Sequence, residues 1–293
     1  MPVTLAAASE NFGRDLEENY RTIARLVAEA SAAGADLLAL PEAAIGGYLS
    51  SLGGHGDDSK PDSLPPAIRL DGPELARVAA LAGDLVLVLG ICEAAGQVDD
   101  PVRYNTVVAL TKDGVLGTHR KVHQPLGEHM SYAAGDGFAA FDSPVGRLGL
   151  MICYDKAFPE GARTLALDGA EIVVCVSAWP AARTAGSADL AEDRWTKRFR
   201  LYDQARALEN QIVWVASNQS GEFGRLRFVS SASVIGPGGE VLADTGVQAG
   251  LAVATVDVPA ELAAARRAMF ALRDRRPDAY ALEGRFTEEL VDA

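Results

Sequence analysis

The sequence predicts an α/β protein. Three observations carry this. The chain opens on a strand, an amphipathic helix and a second strand; that order recurs along its length; and 293 residues with 48% hydrophobic and 23% charged content can bury a large core. Val3 to Ala8 is a short apolar strand. Residues 14–33 set Leu16, Tyr20, Ile23, Leu26, Val27 and Ala30 on one face at helical spacing, and Gly34 ends the helix. Asp36 to Leu40, "DLLAL", is a second strand stopped by Pro41. Leu75 to Ala82 reads as helix, and Asp84 to Glu93 as a buried strand. Tyr104 to Lys121 reads as a hairpin turning at Asp113-Gly114. Val145 to Cys153 is a strand, Phe158 to Leu167 a helix and Glu171 to Trp179 a strand. Residues 189–210 read as a long amphipathic helix before the strand "QIVWVAS". The strands "SASVIG" and "EVLADT" flank a turn at Pro237-Gly238-Gly239, and "GLAVATVDV" follows. "GADLLALPE" from Gly34 is echoed by "GAEIVVCVSAWP" from Gly169, a sign of two related halves. Residues 53–66 read as a surface loop, and the tail from Pro259, which carries the helix-like "AELAAARRAMFALRDRR", is expected to lie on the body or on a partner subunit.

The bulk numbers exclude some functions. A formal charge of −13 argues against a nucleic-acid partner, whose phosphates require a basic face. Three cysteines without a CxxC pair fit a reduced, cytoplasmic protein better than a disulfide framework. Four histidines in no zinc-binding spacing give no reason to expect a metal. The N-terminus has no basic region before its apolar run, so no signal peptide is read, and no uncharged apolar run approaches a membrane span.

Reactive groups stand at three strand ends: Glu42 after "DLLAL", Lys121 inside "THRKVHQP" and Cys153 at the end of "GLMIC". Ligands of open α/β sheets gather just beyond strand carboxyl ends. A thiol is mostly protonated near neutral pH, so a neighbouring carboxylate is the base it needs. A carbonyl attacked by the thiol becomes an oxyanion, which a lysine ammonium and a backbone N–H such as that of Tyr154 stabilise. Singly, Glu42 and Lys121 read as solvated strand-end charges, Cys153 as a core residue and Glu128 as loop surface; the ordered set carries the functional reading.

Three segments, "LALPEAAIGGY", "HRKVHQPLGEHMSYAAGD" and "GLMICYDKAFPE", resemble the glutamate, lysine and cysteine motifs of the nitrilase/amidase (carbon–nitrogen hydrolase) superfamily. Echoes in "YNTVVAL", "ARALENQIVWVASNQSG", "SSASVIGPGGEVLAD" and "RRPDAY" extend the resemblance from about Val3 to Tyr280. It implies a four-layer α-β-β-α sandwich over residues 1–258, a C-terminal tail over 259–293, and pairing into a homodimer or higher even oligomer. It also implies Glu42 as general base, Lys121 as stabiliser of the tetrahedral intermediate, Cys153 as nucleophile, Glu128 as a second, positioning glutamate, and no metal or organic cofactor.

The substrate implied is a small amide, carbamoyl compound or nitrile. Tyr154 and Asp155 after the cysteine resemble the amidase branches, whereas "PEAAIGGY" resembles the nitrilase glutamate motif; the residues bordering the nucleophile are given more weight. Tyr154, Trp179, Tyr48 and His129 are the expected pocket residues, and Arg183 with His129 are candidates to meet a substrate carboxylate. Two other classes stay open: an inactive binding or regulatory subunit of the same fold, and a papain-like protease using His119 or His123.

Overall fold

The computed structural model describes residues 2–52, 64–97 and 99–280. Most of the loop expected over 53–66, and the tail beyond 280, lie outside them. The chain runs as β1 (Val3–Glu10), α1 (Leu16–Ala32), β2 (Leu37–Ala39), α2 (Pro73–Ala82), β3 (Val86–Gly96), β4 (Pro101–Thr111) and β5 (Gly114–Arg120). It continues as β6 (Phe141–Ser143), β7 (Gly146–Ile152), α3 (Pro159–Leu167), β8 (Ile172–Ser177), α4 (Arg194–Asn210) and β9 (Val213–Gln219). Short strands β10 (Glu222–Phe223), β11 (Leu226–Arg227), β12 (Ser233–Ile235) and β13 (Val241–Asp244) precede β14 (Gly250–Val256) and α5 (Val258–Ala268).

Hydrogen bonding joins twelve strands, but in two halves. One half has the order β5-β4-β3-β2-β1-β14, and the other β6-β7-β8-β9-β12-β13. Among the described residues, strand pairing joins the halves only where Ser9 and Glu10 of β1 pair with Asn218 and Gln219 of β9. Side-chain alternation then makes the layers. Leu5, Ala7, Leu37, Ala39, Val86 and Val88 face the second half, in one core with Leu148, Leu150 and Val174. Their neighbours Ala6, Ala8, Leu38, Leu87 and Leu89 point the other way, onto Ile23 and Leu26 of α1 and Val78 of α2. Helices α3 and α4 cover the outside of the second half. The expected α-β-β-α sandwich is therefore the fold.

The two echoed segments occupy matching places. Each is a helix end, a glycine at positive φ (Gly34 +74°, Gly169 +87°) and a parallel strand, in the units β1-α1-β2 and β7-α3-β8. A left-handed φ is what glycine alone adopts without a Cβ penalty.

Two expectations are corrected. The helix expected over 189–210 starts at Arg194, because Asp189 and Asp193 turn their carboxylates onto following backbone amides and Asp193 caps the helix. Nor is α4 amphipathic in the usual sense: its buried stripe is Thr196, Phe199, Asp203, Arg206 and Asn210, while Leu201 and Leu208 are 65% and 56% exposed. The tail helix stops at Ala268, where Gln211 Nε2 donates to the Ala265 and Met269 carbonyls at 2.7 and 2.6 Å. Among the described residues no helix is long and apolar enough to cross a membrane.

This burial pattern has a direct consequence for stability. Phe199→Ala is expected to cost about 3–5 kcal/mol in denaturant unfolding, whereas Leu201→Ala, on the exposed face, should stay within about 0.5 kcal/mol of the parent.

Candidate active site

Strands β1, β2 and β3 run parallel, as do β7, β8 and β9, and β5, antiparallel to β4, points the same way as β3. Their carboxyl ends deliver the polar residues that the sequence singles out. Glu42 follows β2, Lys121 follows β5, Cys153 follows β7 and Ala178 follows β8. Glu128 opens a short 3-10 helix, Glu128–Met130, in the loop that returns beside β4.

Glu42, Lys121 and Glu128 are brought together in full burial. Lys121 Nζ lies 2.9 Å from Glu42 Oε1 and 2.7 Å from Glu128 Oε2. Asn105 Nδ2 donates to Glu42 Oε1 at 2.7 Å and to Glu128 Oε1 at 2.6 Å, which ties the carboxylates to one amide. The Ala178 N–H donates to Glu42 Oε2 at 2.6 Å. Burial by itself would push the Lys121 ammonium down; Glu128 and Glu42 outweigh it and hold the group well above the ordinary lysine value. Burial raises the Glu128 carboxyl, Lys121 opposes that rise and Glu42 adds to it.

Cys153 follows β7 at φ +49°, a left-handed conformation rare for a residue with a Cβ, and starts the 3-10 turn Cys153–Ala157. This sharp strand-to-turn corner turns the sulfur out of the sheet layer into a cavity of about 290 Å³. Burial holds the thiol well above its ordinary range, the Glu42 charge raises it further, and Lys121 and the Ala178 amide pull it back. The thiol is thus protonated at neutral pH and needs a base. A second close approach lies behind Glu42: a Cβ on Gly90 of β3 would sit 2.4 Å from the Ala43 nitrogen, so only glycine lets β3 pass under the glutamate loop.

Asp155, two residues past the cysteine, clamps the two halves of the site. Its Oδ1 accepts from the His123 backbone N–H at 2.9 Å and lies 2.9 Å from His123 Nδ1. Its Oδ2 lies 3.0 Å from His119 Nε2 and accepts from the Ile152 N–H at 3.2 Å. The Lys121 segment is thereby fastened to the Cys153 corner from both sides. Burial favours the neutral acid, yet the His119 and His123 contacts win and hold the carboxyl at about 2.

Of the expected pocket residues, Tyr48, Tyr154 and Trp179 line the cavity with Cys153. Arg14 fixes the Tyr48 loop by donating to the carbonyls of Gly46, Gly47 and Tyr48 at 2.6–2.8 Å. His129 is exposed and not among the cavity-lining residues. Arg183 is spent on the Leu52 carbonyl at 2.8 Å. Sequence reasoning missed Asn105, although a lone amide in the apolar run of "YNTVVAL" was a readable signal. It also missed Trp195, Arg198 and Tyr202 of α4, which line the cavity from far along the chain.

Comparison with known proteins identifies a family and several relatives. The family described as carbon-nitrogen hydrolase matches residues 4–267. The chain is 30% identical to an N-carbamoylputrescine amidase of Arabidopsis thaliana, over 91% of this chain and 90% of the relative. It is 31% identical to a nitrilase of Pyrococcus abyssi, over 77% and 78%. Among solved structures it superposes, with a TM-score of 0.71 and 25% identity over 95% and 94% of the two chains, on a mutant of the amidase from Nesterenkonia sp. AN1. In that mutant the acetamide moiety of fluoroacetamide is covalently added at the active site cysteine.

The Asp155 clamp sets a pH signature. Its carboxyl is depressed from 3.8 to about 2, so its stabilisation is complete above pH 3.8 and is lost as the pH falls towards 2. Asp155→Asn should therefore cost about 2 kcal/mol near neutral pH, and the gap to the parent should close as denaturation curves are taken from about pH 4 to about pH 2.

Proposed function

This chain belongs to the carbon–nitrogen hydrolase family, an enzyme family of amidases and nitrilases, and we propose that it hydrolyses small primary amides or carbamoyl compounds with Glu42, Lys121 and Cys153 as its catalytic residues. The observation that carries the reading is the buried Lys121 held between two carboxylates beside a thiol at a strained strand end.

In this reading Glu42 takes the Cys153 proton as sulfur bonds to the substrate carbon. Lys121 donates to Glu42 Oε1 and is in ion-pair contact with Glu128, which leaves an N–H for the oxyanion. The Tyr154 amide lies in the first turn of its 3-10 helix, where no intrahelical acceptor reaches it, and is the second oxyanion donor. Collapse of the intermediate breaks the C–N bond, and ammonia leaves with the proton from Glu42. Water, deprotonated by the same carboxylate, then attacks the thioester; acid and thiol are released. Glu128 and Asn105 position Lys121 and Glu42 throughout.

A papain-like reading has less support: among the described residues neither His119 nor His123 hydrogen-bonds Cys153, and the charged groups acting on the thiol are Glu42, Lys121 and Glu128. An inactive subunit would have no use for a fully buried ion cluster against a strained cysteine. The amide is favoured over the nitrile because it already has the oxygen that these two donors stabilise, whereas a nitrile needs a proton delivered to nitrogen. We place the enzyme in the reducing cytosol, where its three buried, free thiols are stable, and as a homodimer or larger even oligomer, for which the 76% exposed Met269 suits an interface. Light scattering at micromolar concentration checks the assembly, and a monomer with full activity contradicts it.

Cys153→Ala should abolish ammonia release with little change in melting temperature. Glu42→Gln should lower kcat by at least about 10²-fold. For an amide and a nitrile of one acyl skeleton, kcat/KM should favour the amide; a nitrile ahead by about tenfold, roughly 1.4 kcal/mol in barrier, would reverse the assignment.

A further inference from the structure

The cavity carries a charge that the reaction does not use. Trp195, Arg198 and Tyr202 are spaced by three and four residues, which places them on one face of α4, and all three line the cavity. The inward face of the same helix, Phe199 and Asp203, packs beneath the site. Arg198 is the only charged side chain among the described residues that line the cavity. Other arginines of this helix are engaged: Arg194 with Thr184, Arg200 with Asp244 and Arg206 with Glu209. Arg198 is exposed and has no such partner among the described residues.

Trp179, 8% exposed, adds an aromatic surface to the lining. Among the described residues, a lining with one unpaired guanidinium and no carboxylate suits an anion and gives a cation nothing to pair with. The aromatic and proline surfaces between Arg198 and Cys153 suit a short apolar spacer.

We propose that Arg198 selects substrates bearing a carboxylate at the end remote from the scissile C–N bond. This rests on the amidase reading above and names its substrate class. A guanidinium holds a carboxylate through two parallel N–H···O bonds, whereas the ammonium of a carbamoyl diamine meets a like charge. The carboxylate belongs either to the acyl chain or to the substituent on a carbamoyl nitrogen.

Two substrate pairs separate these sources: glutaric acid monoamide against pentanamide, and N-carbamoyl-4-aminobutyrate against N-carbamoyl-1,4-diaminobutane. In at least one pair, kcat/KM for the carboxylate member should lead by about tenfold or more. Arg198→Gln should collapse that ratio towards one, chiefly through KM, Arg198→Lys should keep part of it, and Arg198→Glu should turn it towards the cationic or neutral member. A merely structural arginine would lower both members alike and leave the ratio standing. Turnover of both pairs with a ratio near one, or a ratio that survives Arg198→Gln, overturns the assignment of Arg198 while leaving the amidase reading intact. Calorimetry on Cys153→Ala protein covers the converse: Arg198-dependent carboxylate binding with no turnover in the parent supports Arg198 and refutes the reaction. Neither binding nor turnover refutes both.

Discussion

The site is organised around a lysine that water cannot reach. Lys121 is buried between two carboxylates, and taking such charges out of water costs several kcal/mol per ion before any contact is made. The cost is tolerable only if every charge is matched. Lys121 is matched by Glu42 and Glu128, both carboxylates accept from Asn105, and Glu42 accepts further from the Ala178 amide. Asn105 enters from within β4 and the other groups from different strand ends or a loop, so the matching fixes these segments relative to one another. Removal of one member leaves an uncompensated buried charge, which is far worse than the absence of all. The cluster therefore acts as a geometric lock as well as a set of reacting groups.

Strain and close packing are concentrated around that lock. Cys153 adopts a positive φ, as does Ala43 beside Glu42, and Gly90 lets a neighbouring strand pass within contact of the glutamate backbone. Positions of this kind persist only where their surroundings over-determine them. Asp155 supplies that restraint on the cysteine side through four contacts, three of them to the two histidines that flank Lys121. Lys156, the next residue, is buried against both oxygens of Asp203, at 2.8 and 2.9 Å, and Asp203 also accepts from the Trp214 indole. The corner that holds the sulfur is thus pinned to the first half of the sandwich by Asp155 and to α4 by Lys156.

Chemistry and selection are divided between layers. Strand ends supply the acid, the ammonium and the thiol, where backbone position is set by sheet hydrogen bonds. Helix α4 supplies the outer wall of the cavity through one exposed face, while its other face is held by buried polar contacts and not by a leucine stripe. A wall of this kind can change its side chains without disturbing the lock below.

The sequence by itself determined the strand-helix-strand order, the turn at Asp113-Gly114, and the candidates Glu42, Lys121 and Cys153 at strand ends, because periodicity, turn chemistry and the order of the motifs are local properties. It also marked Tyr48, Tyr154 and Trp179, which line the cavity. It misread α4, whose buried face is polar because Lys156 and Trp214 wait there for Asp203. It placed His129 in the pocket, yet adjacent residues of a short helical turn point in different directions, and His129 is exposed while Glu128 is buried. Asn105, the Asp155 clamp and Arg198 became meaningful only in three dimensions. Each acts on residues tens of positions away, and which buried polar group meets which is decided by the packing of two sheets whose separation no local pattern encodes.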